Sequence, residues 1–136
     1  MRNFNYLATI AAGIGLAACT SEPEPPAAVS FAADVKPILE ARCIGCHDIA
    51  AEGVAASGLN LADHAGVMAG TKFGPVVVPG NSDSSTLYLV VARKTDPEIH
   101  MPPHHRDALA EGRGEPLTGA EIDTLKTWID QGALDN

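Results

Sequence analysis

The pentapeptide Cys43-Ile44-Gly45-Cys46-His47 is the stretch of sequence that decides the fold. Two thiols three positions apart can reach one edge of a planar macrocycle, and each can add across a haem vinyl group to form a thioether. The histidine directly after the second cysteine is then placed to bind the iron as its proximal ligand. The motif therefore predicts one covalent haem c, held by Cys43, Cys46 and His47.

Other uses of the two cysteines have to be weighed against haem. A disulfide between them would close a very short loop and would contribute little stability. A thioredoxin-like redox pair expects a βαβ context, which the pattern of this chain lacks. A zinc site needs four ligands, so His47 and a further histidine would have to complete it. A zinc-binding structural protein therefore stays open as an alternative.

Residues 1–18 have the features of an export signal. Arg2 provides a positive charge, and the apolar stretch 6–16 is too short to span a bilayer. The stretch ends in Leu16-Ala17-Ala18-Cys19, which resembles the lipobox of bacterial lipoprotein signals. That resemblance implies cleavage before Cys19 and a lipid on its sulfur, with several acyl chains giving a stable membrane anchor. Ordinary signal cleavage, with Cys19 incidental, is the alternative.

Composition and charge indicate where the mature protein works. Residues 19–29 are rich in Pro and Glu, which predicts a solvated tether ahead of a domain spanning residues 30–136. The net charge of −8 and the absence of a Lys/Arg run disfavour nucleic acid and direct adhesion to anionic lipid. They suit redox protein partners with a basic docking face. We expect a lipid-anchored protein of the bacterial cell envelope, facing the periplasm or the exterior.

The domain shows the periodicity of short helices separated by loops, which predicts an all-α fold. Asp34 is expected to cap a first helix that runs into the cysteine motif. Further helices are expected at 63–69, ended by Gly70, and from 82 to about 93. Residues 75–80 suit a short extended stretch, and 97–116 a long loop.

The last helix has the strongest local pattern. Thr118 and Glu121 form a capping box, and Gly132 provides the stop. Between them, four apolar residues recur at helical spacing: Ile122, Leu125, Trp128 and Ile129. Aromatic residues make up only 4% of the chain, so a large buried cofactor would complete an otherwise thin core.

A second axial ligand is needed if the iron only carries electrons. Met101 is the best candidate, because the two prolines in His100-Met101-Pro102-Pro103 stiffen the backbone around its thioether. Met68 is more simply a packing residue. The competing ligands are His100, His104 and His105. A solvated loop is the alternative for all three, and it is the preferred interpretation for His104 and His105. His64 is expected at the surface of its short helix.

These residues together resemble the planctomycete-type cytochrome c domain, a branch of the class I cytochrome c fold. The resemblance covers nearly the whole of residues 30–136 and rests on these segments: Phe31, Asp34 to Leu39, Arg42 to His47, Gly58-Leu59-Asn60-Leu61, Val78-Pro79-Gly80, Ser85, Leu87, Met101-Pro102-Pro103, and Leu117 through Trp128-Ile129 to Gly132-Ala133. It implies thioethers at Cys43 and Cys46, His47 as proximal ligand and Met101 as distal ligand. It also implies that the first and last helices pack against each other beside the haem. The segment 104–116 is longer than the usual link and departs from the family pattern.

The expected function is therefore that of a single-haem c-type cytochrome. It would transfer one electron at a time between redox partners outside the cytoplasm and would not be an enzyme. A haem-based gas sensor and a zinc-binding structural lipoprotein remain the alternatives.

Overall fold

The structure, a computed structural model, describes residues 27–103, 110 and 114–136. Cys19, the predicted signal and most of the tether lie outside these residues, as do His104 and His105. No helix in the described segments is long and apolar enough to cross a membrane.

Short helices dominate the described residues, and none of these residues forms a named strand. A π-helical turn covers Phe31–Val35, and 3-10 turns cover Ser82–Ser84 and Pro97–Ile99. The α-helices are α1 Lys36–Arg42, α2 Ile44–His47, α3 Glu52–Ser57, α4 His64–Ala69, α5 Thr86–Val91 and α6 Gly119–Asp130. The predicted all-α class is confirmed. The extended stretch 75–80 contributes Val76 and Val77 to the core without forming a strand.

The first helical segment begins one turn earlier than Asp34 would place it. Ser30 is the N-cap, and its Oγ accepts the Ala33 N–H at 3.2 Å. Asp34 lies inside the turn, and its carboxylate accepts the Ser30 N–H at 2.8 Å. The prediction that Asp34 caps the helix is therefore wrong. The earlier start puts Phe31 on the buried face.

Of two other predicted helices, one is confirmed and one is wrong. Asp63 caps α4 by accepting the Gly66 N–H at 2.7 Å, and Gly70 ends it at φ 75°, as predicted. The single helix predicted from 82 to about 93 is wrong, because it is broken at Ser85. The buried Ser85 hydroxyl donates to Asn81 O at 2.8 Å and accepts the Val78 N–H at 2.8 Å. These bonds hold the preceding loop instead of a continuous helix.

The last helix forms the centre of the fold. The capping box of Thr118 and Glu121 is present as predicted. Leu125, Trp128 and Ile129 are almost completely buried. The rings of Phe31 and Trp128 lie 5.6 Å apart, so the first helical segment packs against α6 as the family resemblance implies.

His64 is not the surface residue that the sequence suggests. Its side chain is only 19% exposed, and its ring lies edge-on to Phe31 at 5.1 Å. Its Nε2 lies 2.8 Å from Ala133 O, while the Trp128 indole N–H donates to Leu134 O at 3.0 Å. His64 therefore joins α4 to the C-terminal segment across the first and last helices.

Candidate haem site

One tight turn gathers the three residues of the cysteine motif. Cys43 is the junction between α1 and α2, with φ −124° and ψ −40°. Its carbonyl accepts the N–H groups of Cys46 and His47 at 3.1 and 3.0 Å. Cys43 and Cys46 do not form a disulfide, and all three side chains are partly buried. The turn therefore offers two thiols and an imidazole from one short piece of backbone.

The His47 ring is held by a backbone carbonyl. Its Nδ1 lies 3.1 Å from Leu59 O. Because a carbonyl oxygen can only accept, Nδ1 carries the proton and Nε2 keeps its lone pair. A histidine ligand to a metal is typically fixed in this way, through its second nitrogen. His47 is thus in the tautomer that a proximal iron ligand needs.

Helix α3 closes against the motif at Gly53. A Cβ at this position would lie 2.5 Å from Cys46 O and 3.0 Å from His47 Cε1. Only glycine allows α3 to approach the turn so closely. Neither α3 nor this contact is predictable from the sequence, since the segment Glu-Gly-Val-Ala-Ala-Ser has little apolar periodicity.

The environment of Cys43 suits a thioether better than a thiolate. Burial, reinforced by the charge of Glu121, raises the pKa of the Cys43 thiol to about 12. Redox-active cysteines react as thiolates, so this position opposes that use. A thioether carries no charge in any state, and burial does not disfavour it. The described residues contain no group of three or more His, Cys, Asp and Glu side chains placed to hold a metal ion.

Met101 lies on a separate segment from the motif. Its N–H donates to Val90 O at 3.2 Å, which ties it to α5, and the residue is 39% exposed. Its neighbour His100 is only 8% exposed, with Nε2 3.1 Å from Thr95 O. A solvated loop, which the sequence left open as an alternative for His100, therefore does not describe this residue. Met68 is partly buried against the core, in line with a packing role.

Comparison with known proteins finds one family to which the region of the motif is similar. Residues 43–105 match the family model described as planctomycete cytochrome C, a segment that begins at Cys43 and includes Met101. No curated protein and no solved structure gives a significant match. Cytochrome c domains bind haem covalently and transfer electrons. Over residues 43–105, somewhat less than half of the chain, the sequence is similar to the planctomycete cytochrome C family.

Proposed function

We propose that this protein is a single-haem electron carrier and not an enzyme. The observation that carries the proposal is the contact between His47 Nδ1 and Leu59 O at 3.1 Å, on a residue directly after two cysteines that form no disulfide. It leaves Nε2 available for iron and fixes the plane of the ring. In this proposal Cys43 and Cys46 form the two thioethers, and His47 is the proximal ligand.

A bound haem would supply a reversible one-electron change between Fe(III) and Fe(II). The chain contributes what makes that change useful. The two thioethers would prevent loss of the group outside the cytoplasm, and the immobilised His47 ring would keep the same geometry in both oxidation states. No bond in a substrate would be made or broken.

Met101 is proposed as the distal ligand. Its backbone is anchored to Val90 O, and Pro102 and Pro103 follow at once, so its position is restrained from both sides. A thioether ligand favours the ferrous state and raises the reduction potential. The exposed fraction of Met101, 39%, leaves the side chain accessible to an approaching group.

We further propose that the domain is held at a membrane of the bacterial cell envelope through lipid on Cys19. Support for this comes from the lipobox-like Leu16-Ala17-Ala18-Cys19 and from the Pro/Glu-rich residues that follow. The net charge of −8 would steer the domain toward redox partners with a basic docking face.

Carbon monoxide separates an electron carrier from a gas sensor. A ferrous protein with Met101 bound should not bind carbon monoxide readily, whereas Met101→Ala should bind it and show a lower potential. Met68→Ala is the matched control, because Met68 packs partly buried against the core. Carbon monoxide binding by the unaltered protein would favour the sensor, and an unchanged potential in Met101→Ala would remove Met101 as the ligand.

A further inference from the structure

The hydroxyl of Ser57, the last residue of α3, is used twice. It donates to Gly53 O at 2.6 Å and accepts the Leu59 N–H at 3.1 Å. A serine hydroxyl has one proton to donate and lone pairs to accept, so both bonds form together. Ser57 thereby fixes the backbone segment that follows α3.

The residue that Ser57 fixes is the one that holds the histidine. The Leu59 N–H donates to Ser57 Oγ, and the Leu59 carbonyl accepts from His47 Nδ1 at 3.1 Å. The left-handed turn at Gly58, φ 81°, brings Leu59 back toward the motif. The Leu61 N–H then donates to His47 O at 2.9 Å, so the histidine is gripped at both its ring and its backbone.

The other bond of Ser57 leads to the same histidine. Gly53, whose carbonyl accepts the Ser57 hydroxyl, lies so close to the His47 ring and the Cys46 carbonyl that no Cβ would fit between them. One hydroxyl therefore joins the two contacts that restrain the imidazole. One is the hydrogen bond at Nδ1, and the other is the close approach of the Gly53 backbone beside Cε1.

We propose that Ser57 is a positioning residue for His47, acting through the backbone of Leu59; this rests on the proposed function, in which His47 binds the haem iron. When a ligating imidazole donates a hydrogen bond from the nitrogen that does not bind the metal, here Nδ1, the ring becomes a better electron donor to the metal. A firmly held Leu59 carbonyl therefore stabilises Fe(III) and lowers the potential. Without the hydroxyl the carbonyl is less well held, and the potential rises.

Three variants of the matured protein test this role. In Ser57→Ala, we expect the His47 Nδ1–H to exchange with solvent roughly fivefold faster, the factor that corresponds to losing a bond of about 1 kcal/mol. The proton is followed by NMR in the reduced protein, and the potential should rise in parallel. Ser57→Thr keeps the hydroxyl and should restore both values. Thr124→Ala is the matched control, since Thr124 Oγ1 donates to Ala120 O at 2.9 Å in α6 and the loss of that bond should move neither value.

The experiment distinguishes a failure of the role of Ser57 from a failure of the proposed function. A wild-type protein without covalent haem would refute the function itself. With haem present, an unchanged exchange rate and potential in Ser57→Ala would overturn the role of Ser57, and so would a failure of Ser57→Thr to restore them. If Ser57→Ala does not accumulate, exchange of the Leu59 amide in the wild type decides. Protection supports the bond to Ser57, and exchange as fast as that of an unstructured peptide contradicts it.

Discussion

The guanidinium of Arg42 forms a two-bond ion pair with the carboxylate of Glu121. Nε lies 3.0 Å from Oε1, and Nη2 lies 3.4 Å from Oε2. Arg42 directly precedes Cys43, whereas Glu121 is the capping-box residue of α6 and also accepts the Thr118 N–H at 2.6 Å. Charge-assisted bonds of this paired kind are stronger and more directional than single ones. The pair therefore holds the residue before the cysteine motif against the first turn of α6.

Replacing Glu121 should destabilise the fold measurably. The two side chains are 29% and 21% exposed, so solvent screens the pair only in part. Glu121→Ala loses both the pair and the cap, and we expect its free energy of unfolding to fall by about 2 kcal/mol in urea titration. Glu121→Gln can still accept the Thr118 N–H and should lose less. A Glu121→Gln protein as stable as the wild type would show that the ion pair contributes nothing.

The control for this experiment is the exposed pair of Lys36 and Glu40. Its atoms are 3.9 Å apart, with side chains 46% and 56% exposed. Glu40→Gln should change the free energy of unfolding by less than about 0.5 kcal/mol.

The contribution of Glu121 should depend on pH. The Thr118 backbone N–H, with help from Arg42, holds the pKa of Glu121 below its ordinary 4.5. A carboxyl with a lowered folded pKa stabilises fully above 4.5, and that stability is lost as the pH falls through the folded pKa. The difference in unfolding free energy between wild type and Glu121→Gln should therefore shrink on acidification. A difference that stays constant into strong acid would contradict the assignment.

Gly53→Ala should disturb the haem motif. The new methyl would lie 2.5 Å from Cys46 O, a backbone atom that cannot swing aside. We expect a loss of about 1–3 kcal/mol in unfolding free energy, even though alanine is the better helix former. Gly119→Ala, where nothing lies within 4 Å of the added methyl, should be neutral or slightly stabilising. Equal melting temperatures for the two variants would show that α3 does not need glycine there.

His64→Ala should loosen the C-terminal segment. The variant loses the contact with Ala133 O and the edge-on packing against Phe31, and we expect a loss of about 1–2 kcal/mol in unfolding free energy. Asp135→Asn is the control. Asp135 is 73% exposed and 3.9 Å from His64 Nδ1, so its charge should contribute almost nothing. A His64→Ala protein as stable as Asp135→Asn would restore the interpretation of His64 as a surface residue.

Helix caps that depend on neighbouring residues were predictable from the sequence. Caps and burial that depend on residues far away in the chain were not. The caps at Asp63 and Thr118 follow from local rules, and both are present. Ser30 and Asp34 are equally good cap residues, so only the burial of Phe31 decides between them. His64 is buried by contacts with residues more than thirty positions away along the chain, such as Phe31.

In the candidate haem site, too, the local motif was predictable and the contact with a distant residue was not. The spacing of Cys43, Cys46 and His47 is itself the signal, and the structure gathers them in one turn. The acceptor for His47 is a backbone carbonyl, and a backbone carbonyl has no residue type by which to recognise it. The Leu59 segment was singled out as part of a family pattern, but its role required the structure.

The optical spectrum of the matured protein in both redox states tests the central claim most directly. If Cys43, Cys46 and His47 hold a haem c, the reduced protein should show the sharp visible bands of a low-spin haem, and acid extraction should not remove the chromophore. The protein has to be made in a host competent for cytochrome c maturation. A colourless protein from such a host, or a haem that acid extracts, would contradict the account.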